Sequence, residues 1–127
     1  SKCQLSALPK LGALIETPAA ALSAGALASR SDFFSVGTND LTQYAFAADR
    51  ENAAVDAYFN DAHEVIFRLI EAIHDDAPET PLAVCGELAG RPQHVERLLQ
   101  CGVRSLSVAP HMVPTVKQAV REATCGR

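Results

Sequence analysis

The chain has 127 residues, of which 48% are hydrophobic and 20% charged, and its formal net charge is −4 at pH 7. This composition predicts one globular domain. The acidic balance and the lack of any basic run argue against nucleic acid or an anionic membrane as a partner. The sequence contains no apolar run of about 18 or more residues that could cross a bilayer, so we expect a cytoplasmic protein without membrane insertion.

Four cysteines lie at positions 3, 85, 101 and 125 without any C-x-x-C spacing. This distribution predicts free thiols rather than a zinc cage or a disulfide framework. Cys101 falls in an apolar helical stretch, so it is expected to be buried in the core.

Four short apolar runs, each followed by a helical pattern, predict successive βα units and a parallel sheet. After an irregular segment over residues 1–10, the first strand is Gly12-Ala-Leu-Ile. Thr17 is expected to cap an alanine-rich helix that continues to Ser29. The second strand begins at Asp32 and leads to a Gly-Thr turn.

Residues 38–60 have weak periodicity, which predicts a long connection with a helical turn or two. A well-formed helix is expected from Ala62 to Asp75, where Asp61 and Glu64 fit a variant of the capping box. The third strand covers residues 81–85.

The last part of the chain contains two more predicted helices and one strand. A helix with Leu98 on its apolar face is expected to end at Gly102. The fourth strand, residues 105–109, precedes a helix whose apolar positions are Val113, Val116 and Val120.

The predicted fold class is α/β, with four βα units that amount to half of a (β/α)8 TIM barrel over residues 11–123. Residues 1–10 and the tail 124–127 are expected to lie outside it. An open four-stranded α/β sheet is the structural alternative. Because half a barrel leaves sheet edges and apolar surface uncovered, we also expect a homo-oligomer.

Polar residues follow the first two predicted strands. Glu16 comes directly after the first strand, and Asn39 and Asp40 come after the second. Adjacent parallel strands would bring these residues together, and two carboxylates beside an amide suit Mg²⁺. For each acidic residue alone, a helix cap or a solvated loop charge is the alternative interpretation.

Arg50 and Cys85 complete the set of candidate site residues. Arg50 could reach a phosphate or carboxylate with two hydrogen bonds, or it could pair at the surface with Asp49 or Glu51. Cys85 ends the third strand, where its thiol would lie at the rim of the site. Simple burial of this thiol is the alternative.

The run from Asp32 to Arg50 closely resembles the signature of the phosphoenolpyruvate-utilising enzymes, a family that includes enzyme I of the bacterial sugar phosphotransferase system and pyruvate phosphate dikinase. The segments Gly12-Ala-Leu-Ile-Glu-Thr-Pro-Ala-Ala-Ala and Cys85-Gly-Glu-Leu-Ala-Gly are similar to enzyme I in particular. The resemblance covers roughly residues 12–120. Arg91 is a departure, since enzyme I has Asp at that point.

The resemblance implies the C-terminal half of a barrel that binds phosphoenolpyruvate. It implies Glu16 and Asp40 as Mg²⁺ ligands, Asn39 and Arg50 as contacts of the substrate phosphate, and Cys85 as the thiol that protonates the enolate carbon. The phosphoryl acceptor in such enzymes is a histidine on a separate domain, from which the group passes to the carrier protein HPr.

Parts of such an enzyme have no counterpart in this sequence, including earlier barrel strands with further phosphate-binding arginines and the phosphohistidine domain. The four histidines are expected on the surface or on helix faces, at positions 63, 74, 94 and 111. We therefore expect an incomplete catalytic domain of a phosphotransferase that is inactive alone. The alternative is a non-catalytic binding or oligomerisation module that retains the phosphoenolpyruvate and Mg²⁺ site.

Overall fold

The computed structural model describes residues 8–123, which form a four-stranded parallel sheet with helices. The strands lie in the order β1-β2-β3-β4, so each strand pairs with the next one in the chain. Their bounds are β1 Gly12–Ile15, β2 Phe33–Gly37, β3 Leu82–Cys85 and β4 Ser105–Leu106. The predicted α/β class with a parallel sheet is confirmed. Cys3, Cys125 and the predicted tail lie outside the described residues.

Six α-helices accompany the described strands. Their bounds are α1 Pro18–Ala21, α2 Ala24–Ala28, α3 Thr38–Phe46, α4 Glu64–Asp76, α5 Val95–Gln100 and α6 Val113–Glu122. Short 3₁₀ turns lie at Asp56–Tyr58, Glu87–Gly90, Pro92–His94 and Pro110–Met112. None of the helices within residues 8–123 is long and apolar enough to cross a membrane.

The first helical region is capped as predicted but is divided in two. The hydroxyl of Thr17 accepts a hydrogen bond from the Ala20 N–H at 3.2 Å, which satisfies one free donor of the first turn. The helix then stops, because Ser23 leaves the helical region with φ −123°. The Gly25 N–H donates to the Asp76 carboxylate of α4 instead. The single helix expected up to Ser29 is therefore wrong.

One face of the sheet is buried beneath the helices. The strand register aligns Ile15 with Val36 and Val36 with Val84, and all three side chains are fully buried. Ile70 and Ile73 of α4 belong to the same core cluster. Each such side chain contributes about 1.5–3 kcal/mol by leaving water, so this layer fixes the register of the strands.

The opposite face of the sheet is more open among the described residues. Leu14 of β1 is 56% exposed and Phe33 of β2 is 39% exposed, because side chains alternate between the two faces of a strand. Ser35 and Ala83, which are paired in register, are only partly buried. The described helices therefore cover one face of the sheet and leave apolar side chains accessible on the other.

The connection after β2 is more ordered than the sequence predicted. In place of a helical turn or two, α3 begins directly after the strand and continues for nine residues. It ends at Ala47, which has a left-handed φ of 49°. The start of α4 also differs, because His63 Nδ1 accepts the Val65 N–H at 3.2 Å while Asp61 is engaged elsewhere. The predicted capping role of Asp61 is wrong.

The last two βα units follow the prediction with two differences. α5 ends just before Gly102, whose φ is +90°, and Cys101 is buried as expected. β4 is confined to Ser105–Leu106, although the Ser107 N–H still donates to the carbonyl of Val84 at 2.9 Å. In α6 only Val116 of the three apolar valines is buried.

Candidate functional site

The predicted site residues come together at the carboxyl edge of the sheet. Glu16 follows β1 by one residue, Asn39 and Asp40 lie in the first turn of α3, and Cys85 is the last residue of β3. The register pairs Gly37 with Cys85, so the ends of these strands are level. Parallel α/β sheets place their ligand sites at this edge. Proximity is thus established, whereas the role of each residue stays a prediction.

The carboxylates of Glu16 and Asp40 are close enough to perturb each other. Burial raises the pKa of Glu16 above its ordinary value, and a hydrogen bond to Asp40 and the negative charge of Asp40 raise this pKa further. The cation of Arg50 acts in the opposite direction. Two oxygen ligands that repel each other in the absence of a cation fit Mg²⁺, which binds through one or two carboxylates and completes its shell with water and phosphate.

Gly37 provides the room in which Glu16 lies. A Cβ atom at Gly37 would stand 2.7 Å from Glu16 Oε1 and 2.8 Å from its Cγ. Any side chain at this position would therefore displace Glu16 from its present place. Within residues 8–123, no group of three or more His, Cys, Asp or Glu side chains converges to hold a metal ion. A metal ion bound by Glu16 and Asp40 would therefore need further ligands, such as those of a substrate phosphate.

Arg50 reaches this edge from the segment that follows α3. Its Nη2 lies 3.7 Å from Asp40 Oδ1, and both side chains are about two-fifths exposed. The alternative in which Arg50 pairs with Asp49 or Glu51 is wrong. Asp49 instead accepts the Glu51 N–H in a local turn at 2.9 Å. At 3.7 Å and with this exposure the ion pair is weak, so the guanidinium can exchange Asp40 for an anionic ligand.

The Cys85 thiol is half-buried and faces β2. Its Sγ lies 3.4 Å from the carbonyl oxygen of Val36, to which it donates, and 3.5 Å from Ser35 Oγ. The buried Thr38 hydroxyl donates to the carbonyl of Cys85 at 3.0 Å. This bond joins the end of β3 to the start of α3 and fixes Cys85 relative to Asn39.

Two adjoining clefts open at this edge, with volumes of about 560 and 590 Å³. Asn39, Glu87 and Arg91 line both of them. Arg50 lines the first cleft and Cys85 lines the second. A ligand placed between the two would contact the predicted phosphate-binding residues on one side and the thiol on the other.

The sequence did not indicate that Asp61 and Arg91, which line the first cleft, form an ion pair. Arg91 Nη1 donates to Asp61 Oδ1 at 2.6 Å, across 30 residues of sequence. The sequence predicts Asp61 as a helix cap, and nothing local marks either residue as the partner of the other. Among the histidines, His111 is exposed as expected but also lines the second cleft.

Fold and site together define an α/β domain that carries paired carboxylates, an arginine and a thiol at the carboxyl edge of a parallel sheet. The family model described as PEP-utilising enzyme, PEP-binding domain, matches residues 2–125. The chain belongs to this family.

Curated relatives agree with the family assignment. The multiphosphoryl transfer protein of Xanthomonas campestris pv. campestris is 43% identical over 87% of this chain and 14% of its own length. The phosphoenolpyruvate-protein phosphotransferases of Cupriavidus necator and Haloferax volcanii are 41% and 42% identical over 93% and 91% of this chain. The matches cover 20% and 21% of those two proteins, so the chain spans about a fifth or less of these relatives.

Proposed function

We propose that this chain supplies the phosphoenolpyruvate- and Mg²⁺-binding edge of a phosphoenolpyruvate-protein phosphotransferase. The observation that carries the proposal is the convergence of Glu16, Asp40 and Arg50 where two parallel strands end. The phosphoryl acceptor is a histidine on a separate domain, and an HPr-type carrier of a sugar transport system receives the group next. The names of the relatives from Cupriavidus necator and Haloferax volcanii support this reaction class.

In this proposal Glu16 and Asp40 hold Mg²⁺, while Asn39 and Arg50 bind the phosphate. When bound, the metal ion supplies positive charge that stabilises the transferring phosphoryl group and the enolate left behind. The amide oxygen of Asn39 accepts the Glu87 N–H at 3.3 Å, so its amide N–H₂ stays free to donate to a phosphate oxygen. Arg50 contributes two parallel donors once it leaves Asp40.

Cys85 acts in the second half of the reaction. Transfer of the phosphoryl group to the histidine breaks the P–O bond and leaves the enolate of pyruvate, whose methylene carbon must gain a proton. The thiol lines the cleft next to Asn39 and is the proton donor in our proposal. The thiolate that results regains its proton from water.

We also propose that the sheet is the C-terminal half of a (β/α)8 barrel. The open face with Leu14 and Phe33 would then be the interior of that barrel. The same face supports the proposal that the isolated chain self-associates, because exposed apolar patches and sheet edges favour association. Sedimentation of a single monomeric species at tens of micromolar would contradict self-association. A cytoplasmic location and inactivity of the chain alone stay predictions.

Isothermal titration of phosphoenolpyruvate into the chain with Mg²⁺ tests the binding proposal. We expect binding by the natural sequence and loss of binding in Asp40→Ala, because one of two proposed metal ligands is gone. Asp75→Ala is the matched control, since it removes an exposed carboxylate near the end of α4. Equal affinities of Asp40→Ala and Asp75→Ala, or no binding by the natural sequence, would refute the proposed site.

Turnover requires a separate experiment. The remaining domains of a relative, supplied in trans, should accept a phosphoryl group from phosphoenolpyruvate when this chain is added, and Cys85→Ala should slow pyruvate formation. A stable complex that binds phosphoenolpyruvate but transfers nothing would favour the non-catalytic module instead.

A further inference from the structure

The ion pair of Arg91 and Asp61 lies beside the residues to which the proposed function gives a role. Asp61 is only 4% exposed, and its Oδ1 accepts a hydrogen bond from Arg91 Nη1 at 2.6 Å. Its second oxygen, Oδ2, is buried and has no hydrogen-bond partner among residues 8–123. Arg91 is therefore the charge that compensates Asp61, and loss of the arginine would leave a buried, unpaired carboxylate.

This ion pair joins the two loops that form the first cleft. Asp61 lies near the end of the segment 47–63, which connects α3 to α4 and carries Arg50. Arg91 lies between two 3₁₀ turns in the loop that follows β3. The Nη2 atom of Arg91 lies 3.9 Å from Glu87 Oε2. The backbone N–H of Glu87 in turn donates to the side chain of Asn39. Polar contacts thus run from the Arg50 segment through Arg91 and Glu87 to Asn39.

Arg50 itself is held only loosely. Its ion pair with Asp40 is long, and its side chain is 41% exposed. The residues around it form short turns, with the Asn52 N–H bonded to Asp49 and the Val55 N–H bonded to Asn52. Such local bonds shape the segment but do not fix it relative to the sheet. The buried anchor of Asp61, by contrast, reaches across to the loop after β3.

We propose that Arg91 and Asp61 are positioning residues, which clamp the segment 47–63 against the loop after β3 and thereby set Arg50 in the cleft. The clamp itself is a property of the fold. Its consequence for phosphoenolpyruvate rests on the proposed function, in which Arg50 binds the phosphate.

Hydrogen exchange followed by mass spectrometry tests the clamp without any ligand. In Arg91→Ala we expect the amides of residues 47–63 to exchange about tenfold faster or more, because this segment loses its anchor. Arg91→Lys should restore part of the protection, since a lysine can still pair with Asp61. If Arg91→Ala does not fold, Asp61→Asn removes the same charge pair while keeping the shape of the side chain.

Glu71→Ala is the matched control for the exchange experiment, because Arg97 would keep its second bond, to Glu64 at the start of α4. Arg97 Nη1 donates to Glu71 at the same distance of 2.6 Å, but this pair joins α5 to α4 away from the clefts. Exchange of residues 47–63 should therefore stay close to that of the natural sequence. Unchanged exchange in Arg91→Ala, or the same acceleration in both variants, would overturn the clamp.

Titration with phosphoenolpyruvate and Mg²⁺ tests whether the clamp acts through Arg50. Arg91→Ala should weaken binding by about tenfold in the natural sequence. In a chain that already carries Arg50→Ala, whose weaker binding is followed at millimolar ligand, the same change should weaken binding by much less. If Arg91→Ala weakens binding by the same factor with and without Arg50, Arg91 does not act through Arg50, and its positioning role is overturned. If the natural sequence binds no phosphoenolpyruvate, the proposed function fails while the exchange experiment still decides the clamp.

Discussion

Replacement of Gly86 by alanine should disrupt the junction between β3 and the site more than any neighbouring glycine change. Gly86 has φ +96° and ψ −179°, a conformation that is open to glycine almost alone. An added Cβ would stand 2.5 Å from the hydroxyl of Thr38, which donates to the carbonyl of Cys85. Backbone strain of about 1–3 kcal/mol and loss of a hydrogen bond of about 1 kcal/mol add to about 2–4 kcal/mol.

Urea unfolding followed by far-UV circular dichroism, with linear extrapolation, measures this loss of unfolding free energy. Gly90→Ala is the control in the same loop, because the Cβ that it adds would have no atom within 4 Å apart from those of its own residue and its chain neighbours. We expect Gly90→Ala to change the unfolding free energy by less than about 0.5 kcal/mol, as most unconstrained surface changes do. Equal stabilities of Gly86→Ala and Gly90→Ala would refute the reasoning.

Two further predictions concern the core. Ile70→Ala, at a fully buried position of α4, should lower the unfolding free energy by about 2–5 kcal/mol in the same urea assay. Val65→Ala, at a partly exposed position, should lower it much less. Similar losses in the two variants would contradict the packing described for α4. Burial raises the pKa of the Cys101 thiol to about 12 from its ordinary 9.0. The neutral thiol is therefore favoured in the folded chain, and its stabilising contribution is complete below pH 9 and falls as the pH rises towards 12. Relative to Cys101→Ala, the natural sequence should lose about 1.4 kcal/mol of unfolding free energy per pH unit in this window; a pH-independent difference would contradict the burial of the thiol.

The sheet could be predicted from the sequence because its signals are local and repeated. Strands such as Phe33–Gly37 stand out as short, largely apolar runs, and the apolar face of α4 repeats over more than three turns. The placement of Glu16, Asn39 and Asp40 followed from the rule that parallel strands end at one edge. Sequence reasoning therefore predicted the proximity of these residues as well as the parallel sheet.

Features that depend on distant partners were not predictable in the same way. Gly25 lies in an alanine-rich run that favours a continuous helix, but its N–H is taken by Asp76, 51 residues away. Aspartate is a residue type that favours helix caps, yet Asp61 forms a buried ion pair with Arg91 instead. In both cases a tertiary hydrogen bond outweighs a local preference of about 1 kcal/mol.

The sequential strand order has a consequence for how the chain folds during synthesis. Each strand pairs with the one made just before it, so the template for every new strand is already present. The chain segments closed by these pairings differ in length, however. Val36 and Val84 are more than twice as far apart in the sequence as Ile15 and Val36. Each doubling of a loop adds about 0.6 kcal/mol of closure entropy. Docking of β3 therefore has the largest closure cost of the three pairings, and it brings Cys85 to Asn39 after the pairing of β1 with β2 has already brought Glu16 and Asp40 together.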